Sequence, residues 1–307
     1  MRKLSLLILG IWFTLSVYAQ QAPNWAWHSM NWAGINPSHH GLNQYVEASL
    51  GFRRQWVGFS GAPTVLNATL SIPFNERKSD AAMFGVGLNT NIEKNGPFTF
   101  SSASLEGAIN LKTNKENRLS VGMGMGFTQV GYDPNWVETN QPDVIISKFS
   151  TNAYPLLKLG MSFRTKKALY GLYATDLTPS KWKEVGVSSA LRTEWGGYFR
   201  YLVQLREDWF LLPTIKVSEV YKTPLNYEVM LRLNYNYRFQ VWMGTLNLNA
   251  VQLGIGCRIK EIFSVNYMFE KTRSGSKSVF LNSHSVGVKC ILNNHGAILK
   301  KQQLLLD

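Results

Sequence analysis

Residues 227–240 alternate without a break. Tyr227, Val229, Leu231, Leu233, Tyr235, Tyr237 and Phe239 share one parity, and Glu228, Met230, Arg232, Asn234, Asn236, Arg238 and Gln240 the other. Successive side chains of a strand point to opposite faces, so the pattern predicts a strand with one wholly apolar face and one mostly polar face. The theme recurs. Leu119, Val121, Met123, Met125 and Phe127 alternate with Ser120, Gly122, Gly124 and Gly126. Similar runs follow at Val251–Ile259, Phe263–Phe269 and Val286–Leu292. Cys257 and Cys290 fall on the apolar parity and read as small apolar side chains, not as ligands.

Runs of this kind predict strands near 44–56, 62–74, 81–93, 98–112, 117–130, 152–164, 167–176, 190–205, 209–219, 225–238, 239–244, 250–260, 262–272 and 282–293. Helical periodicity is absent over any useful length. The connections are polar and turn-forming, as in Glu76-Arg77-Lys78-Ser79-Asp80 and Lys94-Asn95-Gly96-Pro97, and the longest spans Gly131–Ser150.

The N-terminus changes how this pattern is read. Arg2 and Lys3 precede an apolar run from Leu4 to Val17, and Val17-Tyr18-Ala19 supplies small residues for cleavage after Ala19. That is the layout of a signal peptide. The expected organisation is a signal peptide at 1–19, an N-terminal periplasmic segment at 20–43, a barrel at 44–293 and a tail at 294–307. An exported chain without helical spans, alternating throughout and rich in strand-end aromatics, is expected to close into a ring, because lipid leaves no partner for an unpaired backbone group. The fold class is therefore all-β: a transmembrane antiparallel β-barrel of about 14 strands, within 12–16. Tyr227, Tyr237, Phe239 and Trp242 are candidate interface aromatics. The competing reading is a soluble secreted β-sandwich, which also alternates.

Composition agrees with one large folded domain: apolar residues make up 45% and aromatics 13%, including 10 Trp. The charge is strongly basic, 32 Lys and Arg against 19 Asp and Glu. A basic surface fits nucleic acid, anionic lipid or an acidic protein partner; export argues against nucleic acid.

Catalytic patterns are missing. His39 and His40 are adjacent, so in extended chain they point apart, and no further zinc ligands accompany them. Gly122-Met123-Gly124-Met125-Gly126 lies inside a strand and lacks nucleotide-loop spacing. Ser60 sits in no nucleophile elbow. The chain reads as a non-enzyme with no cofactor and no metal.

The stretch "NPSHHGLNQYVEASLGFRRQWVGFSGAPTVLNATLSIPF", residues 36–74, resembles the opening of the PorP/SprF family, outer-membrane proteins of the type IX secretion and gliding machinery of Bacteroidetes. Asn36, Pro37 and Gly41 match the start of that pattern; Arg54, Gln55, Trp56, Gly61, Ala62, Pro63 and Pro73 match the rest. The likeness weakens toward the end, where Asn282 and Ser285 replace the family's Gly and Glu. The resemblance implies an outer-membrane barrel supporting export or surface attachment of a partner such as an adhesin, or tethering periplasmic machinery. Its partners would be periplasmic lipoprotein or ring components, a secreted adhesin-like substrate and outer-membrane lipid. The nine motif residues Asn36, Pro37, Gly41, Arg54, Gln55, Trp56, Gly61, Ala62 and Pro63 become the candidate docking set. The alternative function is a passive porin favouring anions through Arg232, Arg238, Arg258, Lys260 and Lys289.

Overall fold

A computed structural model describes residues 31–43, 45–74, 82–114, 116–133, 136, 152–178, 193–221, 223–260, 262–273, 280–292 and 305. The signal-peptide expectation and most of the Gly131–Ser150 connection lie outside these residues.

The alternating segments form fifteen strands: β1 (Glu47–Arg54), β2 (Thr64–Phe74), β3 (Ala82–Asn95), β4 (Phe98–Lys112), β5 (Arg118–Tyr132), β6 (Asn152–Arg164), β7 (Ala168–Thr175), β8 (Glu194–Tyr201), β9 (Val203–Arg206), β10 (Trp209–Val220), β11 (Asn226–Tyr235), β12 (Phe239–Leu246), β13 (Ala250–Ile259), β14 (Phe263–Arg273) and β15 (Phe280–Ile291). Neighbours in sequence pair antiparallel, and β1 pairs β15 from Glu47 opposite Ile291 to Arg54 opposite His284. β8 and β9 both pair β10 on the side away from β11, so they are two pieces of one stave. The ring thus has fourteen staves and is closed. The break between the pieces, at Leu202, adjoins the position where Tyr201 lies opposite Pro213, whose ring leaves no N–H for the ladder. On the other side of the stave the Leu202 amide continues the ladder with β7, donating to the Lys167 carbonyl at 2.7 Å.

Parity decides which side of the wall each residue takes. Val121, Met123, Met125 and Phe127 of β5 face outward and are half exposed, whereas Ser120, Gly122 and Gly124 face in and are buried. Leu50 and Phe52 of β1 point outward while Arg53 is buried in the lumen. The outer wall is therefore a continuous apolar surface; lipid covers it without desolvation cost. Cys257 and Cys290 are free. They sit on β13 and β15 with β14 between them, about two strand spacings or ~10 Å apart, beyond the reach of a disulfide.

Trp242, expected at the membrane interface, instead points into the lumen. It is 3% exposed and lies in the slot left by Gly254 on the neighbouring strand. Its position follows the polar parity of β12, so the wall admits an indole inward only where the adjacent strand has no side chain.

Strand alternation gives the ring two unlike mouths. The three longest connections, 55–63, 133–151 and 176–193, share one mouth with the short 96–97 and 247–249; 75–81, 113–117, 165–167, 207–208, 236–238 and 260–262 share the other. With fourteen staves, the start of β1 at Glu47 and the end of β15 at Ile291 lie side by side at the short-turn mouth.

Met125, near the middle of β5, tests the lipid assignment. Met125→Arg is expected to destabilise the barrel in lipid vesicles by about 2–4 kcal/mol, as cations do on the lipid face at the bilayer midplane. Urea titration of the heat-modifiable gel form measures it. Thr128→Ser, on the inner face of the same strand, is expected to leave that gel form in place.

Candidate functional site

The nine motif residues separate into two groups, one at each end of β1. The first group lies inside the barrel. Asn36 caps a single 3-10 turn, Pro37–His39, by accepting from the Ser38 amide at 3.0 Å, and proline stands at the first helical position, where no N–H is needed. Asn36 and His40 are fully buried.

This turn belongs to a segment, residues 31–43, that crosses the lumen and bonds to both walls. On one side Asn31 Nδ2 donates to Ser49 Oγ at 2.8 Å, Asn89 Nδ2 to the Gly34 carbonyl at 2.6 Å, and the Gly41 amide to Ser71 Oγ at 3.1 Å. On the other, Asn36 Nδ2 lies 3.3, 3.2 and 2.9 Å from the Met161 carbonyl, the Leu172 carbonyl and Tyr198 Oη. Trp32 stacks on Tyr198 with ring centroids 3.9 Å apart, and Arg200 lies 5.0 Å above the same indole. The Arg200 guanidinium also donates to the Leu305 carbonyl at 3.2 Å, and Leu305 is buried with Trp32, Leu42, Phe210 and Leu212. Residue 305 of the expected tail therefore lies in the lumen.

Glycine makes room for this crossing. A Cβ on Gly122 of β5 would strike the Pro37 backbone, one on Gly160 of β6 the Asn36 amide, and one on Gly87 of β3 the His40 ring. Alternating glycines in a strand mark close backbone approach; here what approaches is the N-terminal segment itself.

The two histidines diverge. His39 Nε2 meets Tyr198 Oη, while His40 Nε2 meets Glu106 Oε2 at 2.9 Å. Glu106 also takes Lys158 Nζ at 2.9 Å and Ser104 Oγ at 2.7 Å, both on Oε1. One buried carboxylate thus ties the crossing segment to β4 and β6. Such a charge is tolerable in the interior only because it is fully partnered. Glu106, Lys158, Tyr198 and Arg200 were not singled out from sequence. Their signal was present: charged or phenolic residues at the inward parity of strands with apolar outer faces.

The second group stands at the long-loop mouth. Arg54 is exposed, and Arg53 turns inward to Glu270 of β14 at 2.7 Å. The Gln55 amide donates to the Pro63 carbonyl at 2.9 Å, which closes the corner. The Gly61 carbonyl accepts from Gly96 at 3.1 Å; with φ of 74° and the Trp136 ring where a Cβ would be, this position requires glycine. Trp56, Val57 and Phe59 protrude, 38%, 44% and 53% exposed. The structure does not bring Asn36, Pro37 and Gly41 together with the rim residues.

The family described as "Type IX secretion system membrane protein PorP/SprF" matches residues 17–289. The chain belongs to the PorP/SprF family. None of the curated proteins matches. Among solved structures, a Pseudomonas aeruginosa FadL homologue is similar over 87% of this chain and 94% of its own, with 10% identity and a TM-score of 0.48. A TodX monoaromatic hydrocarbon channel mutant covers 83% and 92%, with 9% identity and a TM-score of 0.49. The translocator domain of the autotransporter NalP from Neisseria meningitidis covers 81% and 88%, with 12% identity and a TM-score of 0.36.

Two variants test the crossing in this PorP/SprF barrel. Glu106→Gln is expected to cost about 3–5 kcal/mol in urea unfolding, since it leaves Lys158 buried without its counter-charge. Adding Lys158→Met to it should recover part of that loss. Gly160→Leu is expected to lift Asn36–Ser38 from β6. Limited proteolysis would then cut within 31–43 while the heat-modifiable barrel survives.

Proposed function

We propose that this PorP/SprF outer-membrane barrel is a docking platform of type IX secretion, not a conduit. The observation that carries the reading is the lumen, crossed from wall to wall by residues 31–43 through buried hydrogen bonds and a stacked tryptophan. A lumen held in this way leaves the two mouths as the surfaces on which partners can act. In outer-membrane barrels short turns face the periplasm and long loops face outside. On that orientation the Arg54–Pro63 corner, with Trp56 and Phe59 exposed, lies at the cell surface, where it would hold a secreted adhesin-like partner. The short-turn mouth would face periplasmic lipoprotein and ring components. The role is non-enzymatic: positioning and attachment.

The porin alternative draws support from inward-facing Arg232, but the crossing segment counts against it. Arg238 and Lys260 are exposed at turns, not aligned along a pore.

The test is co-purification from detergent-solubilised outer membranes. A type IX secretion component or secreted substrate is expected in the eluate of the unaltered chain. Trp56→Ala combined with Phe59→Ala is expected to reduce recovery of the surface partner by about tenfold or more, the loss typical of buried aromatic anchors, with heat-modifiable mobility unchanged. Equal recovery from the double variant would remove the corner from the docking surface. A large, stable open-state conductance of the unaltered chain in planar bilayers would favour the porin.

A further inference from the structure

We propose that the short-turn mouth carries a binding site for an oxyanion group, phosphate or carboxylate, built on Arg232, Arg238 and Arg258. A small recess, open to solvent, is lined by these three arginines with Asn234, Gln240, Ser264, Tyr237 and Leu212. None of the eight is acidic.

The arginines are held in place by the wall. Arg232 is 2% exposed and its guanidinium lies 5.7 Å over the Trp242 ring, which is itself seated against Gly254. Arg258 Nε donates to Ser264 Oγ at 3.1 Å. Its amide donates to the Arg238 carbonyl at 2.7 Å, which holds the 236–238 turn beside β13. Arg238 is exposed at the rim. Positioned guanidinium groups are suited to bidentate recognition of carboxylate and phosphate, and a fixed cluster spends little entropy on capture. Glycine at 256 leaves room for the Gln240 and Asn266 side chains to bond to each other over the wall, which fixes the floor of the recess.

The surroundings support this. The Asn234 side chain accepts from the Tyr237 amide at 3.0 Å, which fixes the turn over the recess. Burial first, and then Asp208, raise the Tyr237 phenol above its ordinary value, so it remains a neutral donor. Asp208 belongs to the adjacent 207–208 turn and is not among the lining residues. Arg232, Asn234, Gln240, Arg258 and Ser264 share the inward parity of their strands, opposite to the lipid-facing residues. The group bound here therefore arrives through water at the short-turn mouth, not from a lipid headgroup alongside the outer wall.

The full-length chain, purified in neutral detergent, is titrated calorimetrically with inorganic phosphate at low salt. A parallel arm compares nanodiscs of phosphatidylglycerol with nanodiscs of phosphatidylcholine. The expected result is saturable phosphate binding that is the same in both lipids. Binding should weaken about tenfold or more in Arg238→Gln and in Arg258→Gln, each of which removes a charge-assisted contact. Lys166→Gln, which removes an exposed cation from another turn at the same mouth, should bind as the unaltered chain does. Absence of saturable heat would overturn the proposal. So would affinity in both arginine variants equal to that of the unaltered chain, or phosphate binding abolished by phosphatidylglycerol, which would assign the anion to lipid. Arg238 lies in an exposed turn, so its variant remains readable even if Arg258→Gln fails to fold.

Discussion

A backbone placed in lipid must satisfy its own N–H and C=O groups, and in this chain the last of them are satisfied only when β1 meets β15. That seam joins residues 47–54 to 284–291, nearly the whole described length apart. An even number of staves then brings both ends of the strand series to one mouth. The N-terminal segment enters the lumen on its way to β1, and Leu305 ends up beside Trp32. The lumen packing is thus a consequence of closure. Trp32, Leu42 and Leu305 share one cluster, and the start of β1 and the end of β15 lie at the same mouth.

Closure also sets what the lumen must contain. About eight staves enclose a space that their own side chains fill, whereas larger rings leave room inside. Fourteen leave a gap, and the two halves of this wall meet it differently. Between β3 and β6 the inward positions carry glycines at 85, 87, 122 and 160, and the crossing segment lies directly on the backbone there. From β11 to β15 several inward positions carry long polar groups that pair along the wall, as Gln252 does with Glu270 of the adjacent strand. Where the crossing segment lies directly on the wall, the strand position beneath it is glycine. The buried charges follow the same economy: Glu106 faces both His40 and Lys158, and Glu270 faces Arg53.

Which parts of this were legible beforehand follows from the range of the interactions. The fourteen staves were readable because alternation is a local property imposed by water or lipid on one face and the lumen on the other. The 239–244 run emerged as β12, and the 190–205 run as β8 and β9 with a break next to the residue that faces Pro213. Family membership was readable from the spacing of a dozen residues near the N-terminus. The crossing segment was not, because Asn-Pro-Ser-His-His-Gly is polar enough to pass for an aqueous stretch. Only the distant glycines at 87, 122 and 160 turn it into a buried one. The inward tryptophan at 242 escaped for the same reason: its slot is an absent side chain, Gly254, on another strand.

The two halves of the motif gain a shared meaning from the seam. At the short-turn end Glu47 lies 4.0 Å from Lys289 of β15, and the Leu292 amide donates to the Val46 carbonyl at 2.8 Å. At the long-loop end Arg53 reaches Glu270 of β14, the Val57 amide donates to the Asn282 carbonyl at 2.8 Å, and the Trp56 amide reaches Ser283 Oγ at 3.3 Å. The basic, aromatic corner and the buried Asn-Pro turn are thus the two ends of the strand that closes the ring. Each end is fastened across the seam by side-chain and loop contacts in addition to the ladder. A docking role for Trp56 and Phe59 is compatible with this, because both rings project outward from a corner whose backbone is already committed to closure. A docking surface would gain most from being anchored to the least local contact in the fold, the pairing of β1 with β15.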